Sequence, residues 1–221
     1  MKLATHEPAA TAEGFVLAGG ASSRMGRDKA LVEVAGRPLV THALGILRAA
    51  GLAARIAGAR AELESFAPVV KDLGGGPLAG VCAALAAAET ELAVFLPVDM
   101  PLVPPLLIEC LLHHARVTEC AVAVPKVCGY AETFPAVVRR ETLPELRQWL
   151  EGGDGGCFAA FQKAAERPGR PFAQVDVEVL AQCGQAEHAA GLPASCWLMN
   201  VNRPEELERA ASLLSAAASV S

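Results

Sequence analysis

The sequence has no apolar stretch long enough to span a bilayer. The nearest candidate, Leu92 to Ile108, carries Asp99 and four prolines and reads as part of a folded core. Met1 to Glu13 lacks the apolar centre of a signal peptide. Those residues read as a loose N-terminal tail, and the protein as cytoplasmic. There is no excess of positive charge either: 19 Lys and Arg face 24 Asp and Glu, for a formal net charge of −5. That balance argues against broad nucleic-acid binding but leaves room for a local phosphate site. The seven cysteines are odd in number and include no CxxC pair, so neither a disulfide framework nor a zinc site is indicated. Most of them are expected to be small core residues. The five histidines include no HExxH. His113 and His114 fall near an expected helix end, where a cation suits the dipole. No internal repeat and no second domain is visible in the 221 residues, a length that suits one core.

What is present gathers around one stretch, Leu17-Ala-Gly-Gly-Ala-Ser-Ser-Arg-Met-Gly-Arg-Asp-Lys29. It follows an apolar run, Gly14 to Ala18, that reads as a buried strand. Gly19 and Gly20 allow positive φ and the close approach of a ligand. Successive amides in such a loop form an anion-binding concavity, over which Arg24, Arg27 and Lys29 place three cations. The physical reading is a cradle for a polyphosphate. Two familiar cradles do not fit. Gly26 is followed by Arg27-Asp28 rather than by the Lys-Ser/Thr of a Walker loop. Gly19-Gly20 also lacks the G-x-G-x-x-G spacing of the dinucleotide fingerprint. Ser22 and Ser23 stand in no GxSxG elbow and suit phosphate hydrogen bonding better than nucleophilic attack.

Apolar periodicity then alternates along the chain. A helix is expected from Pro38 to about Ala50, a strand over Ala53–Ala57, a short helical segment near Ala61 to Phe66 and a short strand at Pro68 to Lys71. The loop Asp72-Leu-Gly-Gly-Gly-Pro-Leu-Ala-Gly80 follows, with Pro77 opening a buried helix whose N-terminus points positive partial charge back at the loop. Leu92 to Val98 is apolar on both faces, as a central parallel strand should be. Further on, a helix is expected over Pro104 to His114, strands at Glu119 to Pro125 and Phe134 to Val138, and helices through Leu150 and over Cys157 to Ala165. Gly152 to Gly156 reads as a loop over an acceptor site. From Arg167 to Ala194 the signal is weak. Cys196 to Met199 reads as a short strand before a final helix. The fold class is therefore α/β: a single-domain, Rossmann-like three-layer sandwich over residues 14–217, with a mostly parallel sheet and helices on both faces. Ligands of such sheets bind beyond the carboxyl ends of the strands, where the glycine loop, Asp72 and Asp99 all fall.

Asp99 ends the most apolar strand and precedes Pro101. A carboxylate there needs a partner, and Mg²⁺ beside a triphosphate would serve, since magnesium takes only one or two protein ligands. The competing reading is an ordinary turn or a cap for the Pro104 helix. Asn202, just before Arg203-Pro204, is equally well placed as a helix cap or as part of a metal shell. Asn200 is harder to explain as a cap.

The arrangement Leu-Ala-Gly-Gly-x-Ser-x-Arg-Met-Gly-x-Asp-Lys resembles the signature loop of the nucleotidyltransferase superfamily, and in particular the molybdenum cofactor guanylyltransferases. Three further segments look like that family: Gly76-Pro77-Leu78-Ala79-Gly80 after Asp72, Leu96-Pro97-Val98-Asp99-Met100-Pro101, and Met199-Asn200-Val201-Asn202-Arg203-Pro204-Glu205-Glu206-Leu207. The resemblance implies a nucleotide-diphospho-sugar transferase type of fold and transfer of GMP from GTP to the terminal phosphate of molybdopterin. It implies that Leu17, Ala18, Gly19, Gly20 and Gly76 bind the nucleotide and that Asp72 helps hold the nucleoside. Lys29 and Arg24 would meet phosphates, Asp99 would carry Mg²⁺, and Asn200 and Asn202 would lie near the metal and acceptor phosphate. The implied partners are GTP, molybdopterin or molybdenum cofactor, and molybdoenzymes or other cofactor-biosynthesis proteins. Three positions depart from the family. Gly58 stands where an Asn is usual, Met100 replaces Thr, and Glu132-Thr133 occupy the place of a Gln/His-Pro pair. Two alternatives stay open: cytidylyl or other nucleotidyl transfer to a phosphorylated small molecule, and a non-catalytic nucleotide-binding or partner-docking protein.

Overall fold

The computed structural model describes residues 12–19, 28–72, 74, 76–153, 156–166 and 169–218. Its elements in order are strand β1 (Ala12–Leu17), the short strands β2 (Glu33–Val34) and β3 (Arg37–Pro38), helix α1 (Leu39–Ala49), β4 (Ala53–Ala57), β5 (Val69–Val70), α2 (Pro77–Ala87) and β6 (Leu92–Pro97). Then come α3 (Pro105–Val117), β7 (Val122–Val127), β8 (Tyr130–Ala131), β9 (Ala136–Arg139), α4 (Leu143–Gly152) and α5 (Cys157–Glu166). The chain finishes with β10 (Phe172–Asp176), α6 (Val177–Gln182), α7 (Ala194–Trp197) and α8 (Pro204–Ala218). Single 3₁₀ turns cover Lys29–Leu31, Ala61–Ser65 and Arg140–Thr142.

The main sheet runs β10-β7-β9-β6-β1-β4-β5, with β8 hairpinned onto β7. β1 pairs in parallel with β4 and β6, β4 with β5, and β7 with β10. β9 runs antiparallel to both of its neighbours, β6 and β7. The mostly parallel sheet of the sequence reading is thus present, with one reversed strand inside it. Because side chains alternate across a strand, the two central strands feed two cores. Val16, Val94 and Leu96 point to the side covered by α1 and α3, with Leu44, Leu47, Leu107 and Leu111. Phe15, Leu17 and Phe95 point to the side covered by α2, α4 and α5, with Leu85, Leu146 and Phe161. There the Phe15 and Phe95 rings stack with centroids 5.8 Å apart. This two-sided burial is why Leu92–Pro97 is apolar throughout.

The structure amends several expectations. β1 begins at Ala12, so Ala12 and Glu13 belong to the sheet and not to the tail. Glu13 is held in place because its carboxylate accepts from the Glu89 amide at 2.8 Å and pairs with Arg55 at 3.4 Å. The weak region after Arg167 contains β10 and α6. β10 is an edge strand paired on one side only, so it carries a mixed burial pattern in place of a continuous apolar run. The strand expected at Cys196 to Met199 is instead the end of helical turn α7 and the residues after it. Trp197 is buried and donates from Nε1 to the Leu192 carbonyl at 2.8 Å, which ties the turn to the loop before it. Of the seven cysteines, Cys82 and Cys120 are buried, Cys128 and Cys183 are exposed, and the rest are half-buried. Burial pushes the thiols of Cys82 and Cys157 up to about 11, so both are neutral at pH 7. No helix among the described residues is long and apolar enough to cross a membrane.

At the end of the sheet away from the glycine loop, Arg139 is 5 % exposed. It donates to the Cys120 carbonyl at 2.8 Å and the Ala115 carbonyl at 3.0 Å, and it pairs with Glu91. The guanidinium thereby joins β9 to the end of α3 and the start of β7. Glu91 is largely exposed, so its ion pair adds little; the two carbonyls matter more. Arg139→Met is expected to lower stability by roughly 2–4 kcal/mol, since it leaves both of these acceptors without a donor. Equilibrium urea unfolding measures this, and a loss below ~0.5 kcal/mol would contradict the role.

Candidate active site

Beyond the carboxyl end of β1 the ladder continues briefly. Ala18 donates to the Ala57 carbonyl at 3.0 Å, and Val98 donates to the Leu17 carbonyl at 3.1 Å. Ala18 is buried and Gly19 exposed, so the chain reaches solvent at Gly19. Asp72 lies just past β5 and is 8 % exposed. Its Oδ1 accepts the Gly74 amide at 3.2 Å in a local turn. Its Oδ2 has no protein donor among the described residues and lies against Gly19: a Cβ added there would sit 2.9 Å from it. A side chain at Gly19 would therefore push the Asp72 carboxylate aside. That oxygen is available to a ligand donor lying over Gly19. Gly76, at φ +90°, turns the chain into α2, which side chains other than hydrogen rarely permit. Pro77 then opens the helix, and its first amides face the same end of the sheet.

A second group assembles from three distant segments. Asp28 caps the 3₁₀ turn by accepting the Ala30 amide at 3.0 Å, and it pairs with Arg60 from the loop after β4. This sets Lys29, whose Nζ donates to Asp99 Oδ2 at 2.6 Å and also to Asn202 Oδ1. Asp99 is in turn bound to the C-terminal segment, since its carbonyl accepts the Val201 amide at 2.9 Å. Glu206, in the first turn of α8, accepts the amides of Asn202 at 2.6 Å and Arg203 at 2.9 Å. The capping readings fail for both residues, although Asp99 does lie in the turn after β6. Asp99 does not cap α3, which has no side-chain cap. Asn202 does not cap α8 either: the capping is done by Glu206, and the Asn202 side chain turns to Lys29. The side chains of Lys29 and Asp99 are each about one-fifth exposed, so the cluster is open to ligands on one side. Asp99 and Asn202 offer hard oxygen donors that suit a hydrated divalent ion needing only one or two protein ligands. Among the described residues no group of three or more His, Cys, Asp or Glu could hold a metal.

Of the residues singled out in the sequence, Leu17, Ala18, Gly19, Lys29, Asp72, Gly76, Asp99 and Asn202 stand at this one end of the sheet. Asn200 is exposed and makes none of the described side-chain hydrogen bonds. Gly20, Ser22, Ser23, Arg24 and Arg27 lie outside the described residues. Met100 is buried in the core and takes no part in the site. At Gly58 a Cβ would make only ordinary contact, 3.5 Å from the Ala18 carbonyl carbon, so the glycine leaves space beside β1. Sequence reasoning missed Arg60 and Glu206 as supports. Asp28, an N-cap residue type directly before Lys29, was a usable signal for one; the Pro-Glu-Glu start of α8 was a signal for the other.

The model of the MobA-like NTP transferase domain family matches residues 14–168. A molybdenum cofactor guanylyltransferase of Pseudomonas putida is 37 % identical over 159 residues, covering 68 % of this chain and 82 % of that one. One from Xanthomonas euvesicatoria pv. vesicatoria is 50 % identical over 62 residues, which span 28 % of this chain and 33 % of its own length. The crystal structure of molybdopterin-guanine dinucleotide biosynthesis protein A from Archaeoglobus fulgidus superposes with a TM-score of 0.73 at 24 % identity, over 92 % of this chain and 98 % of that one. The matched span runs from β1 through α5 and holds the glycine loop, Lys29, Asp72 and Asp99; on that extent of agreement, the chain belongs to the MobA-like NTP transferase domain family.

Proposed function

We propose that this protein transfers GMP from GTP to the terminal phosphate of molybdopterin, forming the guanine dinucleotide cofactor and releasing pyrophosphate. The observation that carries this reading is the meeting of Lys29, Asp99 and Asn202 beyond the carboxyl ends of the central strands, in a chain whose family transfers nucleotidyl groups. The relatives' names supply the guanylyl group and the acceptor. The reaction is placed in the cytoplasm, with GTP and molybdopterin as partners.

In this reading the nucleoside lies over Leu17, Ala18 and Gly19, within reach of Asp72 Oδ2. The triphosphate runs toward Lys29 and the loop that precedes it. An acceptor phosphate oxygen attacks the α-phosphorus, the bond from that phosphorus to the bridging oxygen breaks, and the electron pair leaves with pyrophosphate. The attacking oxygen is already an anion, so no protein base is required. The barrier is charge repulsion and alignment. Lys29 neutralises phosphate charge, and Asp99 with Asn202 would hold Mg²⁺. The bound ion would supply further charge neutralisation.

The experiment that tests the whole reading pairs calorimetry of GTP, CTP, ATP and UTP in Mg²⁺ with an assay of pyrophosphate release from GTP and molybdopterin. GTP selectivity with turnover is the expected result. CTP selectivity would move the protein to cytidylyl transfer, and binding without turnover would favour a docking role. Asp99→Ala is expected to reduce kcat by at least ~10²-fold, the scale of a lost preorganised charge stabiliser; near-normal turnover would sink the assignment. Asp72→Ala should instead mainly raise the KM for nucleotide, and a pure kcat defect would contradict its role. Gly19→Ala should raise the same KM by about tenfold, the worth of one good hydrogen bond, because the added methyl displaces the Asp72 carboxylate. An unchanged KM would show that nucleotide does not pass over Gly19.

A further inference from the structure

Lys29 makes a contact that the transfer reaction does not need. Its ammonium group sits 2.6 Å from Asp99 Oδ2 and also donates to Asn202 Oδ1. Asp99 and Asn202 are the two residues assigned above to the divalent ion. A carboxylate oxygen held by an ammonium at that distance is not available to a metal, and two cations side by side repel. An ion approaching the remaining oxygen, Oδ1, would stand beside the ammonium and be repelled by it, so the site binds an ion well only after Lys29 has moved off Asp99. A bare Asp99 would be unfavourable in a site only about one-fifth open to water, so the lysine needs another anion and the carboxylate another cation at the same time. A triphosphate with its ion supplies both. The flexible four-carbon stem of lysine allows the swing, while Asp28, capped onto the 3₁₀ turn and paired with Arg60, keeps the backbone still.

We propose that Lys29 is a latch on the metal site: it holds Asp99 and Asn202 in the nucleotide-free protein, and the incoming triphosphate draws it off and opens the site to the divalent ion. The proposal rests on the reading of Asp99 as the ion's ligand. Its consequence is positive coupling between nucleotide and metal, which is reciprocal by linkage. The latch also holds the C-terminal segment at Asn202 against the loop after β6, so release frees the Asn202 side chain in the same step.

The test is Mn²⁺ binding to the full chain, followed by electron paramagnetic resonance. It is run with and without a GTP analogue whose α,β-bridging oxygen is replaced by methylene, for wild type, Lys29→Met and Asp99→Asn. Without nucleotide, Lys29→Met is expected to bind Mn²⁺ about tenfold more tightly than wild type, within the usual range of coupling between two sites. The analogue should tighten Mn²⁺ binding strongly in wild type and much less in Lys29→Met. Equal or weaker Mn²⁺ affinity in Lys29→Met without nucleotide overturns the latch. If Asp99→Asn still loses the analogue-dependent Mn²⁺ signal, the reading of Asp99 as ligand survives that failure. If Asp99→Asn keeps the signal, both fall together. Circular dichroism checks that each variant is folded, and Lys29→Gln replaces Lys29→Met should the latter not fold.

Discussion

Two neighbouring parallel strands, β1 and β6, have no face left for water. Their backbone groups are consumed by the ladder between them and by β4 and β9 on either side. Their side chains alternate into two separate cores. Polar chemistry can begin only where the strands end, and both stop at the same level: Leu17 is in register with Pro97. Gly19 and Asp99 thus emerge side by side although they lie far apart in sequence. Had β6 been set one residue off, its alternation would have reversed and the stacked Phe15 and Phe95 would have lost their common side. The position of the site is thus fixed by apolar packing well away from it.

Onto that edge the chain brings segments that have no reason to be near one another in sequence. Asp99 holds Lys29 through its side chain and Val201 through its backbone. It therefore connects the segment after the glycine loop with the entry to α8. Glu206 then fixes the amides around Asn202. A charged pair of this kind, partly open to water, contributes little to stability. Its value lies in geometry: it sets three oxygen- and nitrogen-bearing groups at one point before any ligand arrives.

How much of this could be read beforehand depended on locality. Leu92–Pro97 announced itself because a strand covered on both sides must be apolar throughout, and the glycine loop because its residue order is demanding. Asp72 and Asp99 were legible from their places after strands. β10 was not, since an edge strand paired on one side keeps polar residues and gives no run. The Cys196 to Met199 segment misled because a short apolar stretch is compatible with strand or helix, and the bond from Trp197 to Leu192 that selects the helical turn is invisible in composition. Asn202 stayed ambiguous until the structure showed Glu206 doing the capping, a contact whose partners are close in sequence but whose geometry is not written there. The Lys29–Asp99 pair spans seventy positions, and its two members were legible separately while their contact was not.

The reversed strand β9 also marks a mechanical boundary within the sheet. It divides the sheet into a parallel half that carries the glycine loop, Asp72 and Asp99, and a second half made of β7, β10 and the β8 hairpin. The seam on the second side is narrow, with β7 and β9 in register at only Val122↔Val138 and Ala123↔Val137. This seam is where the outer half can shift against the half that carries Gly19, Asp72 and Asp99 with few backbone bonds to break.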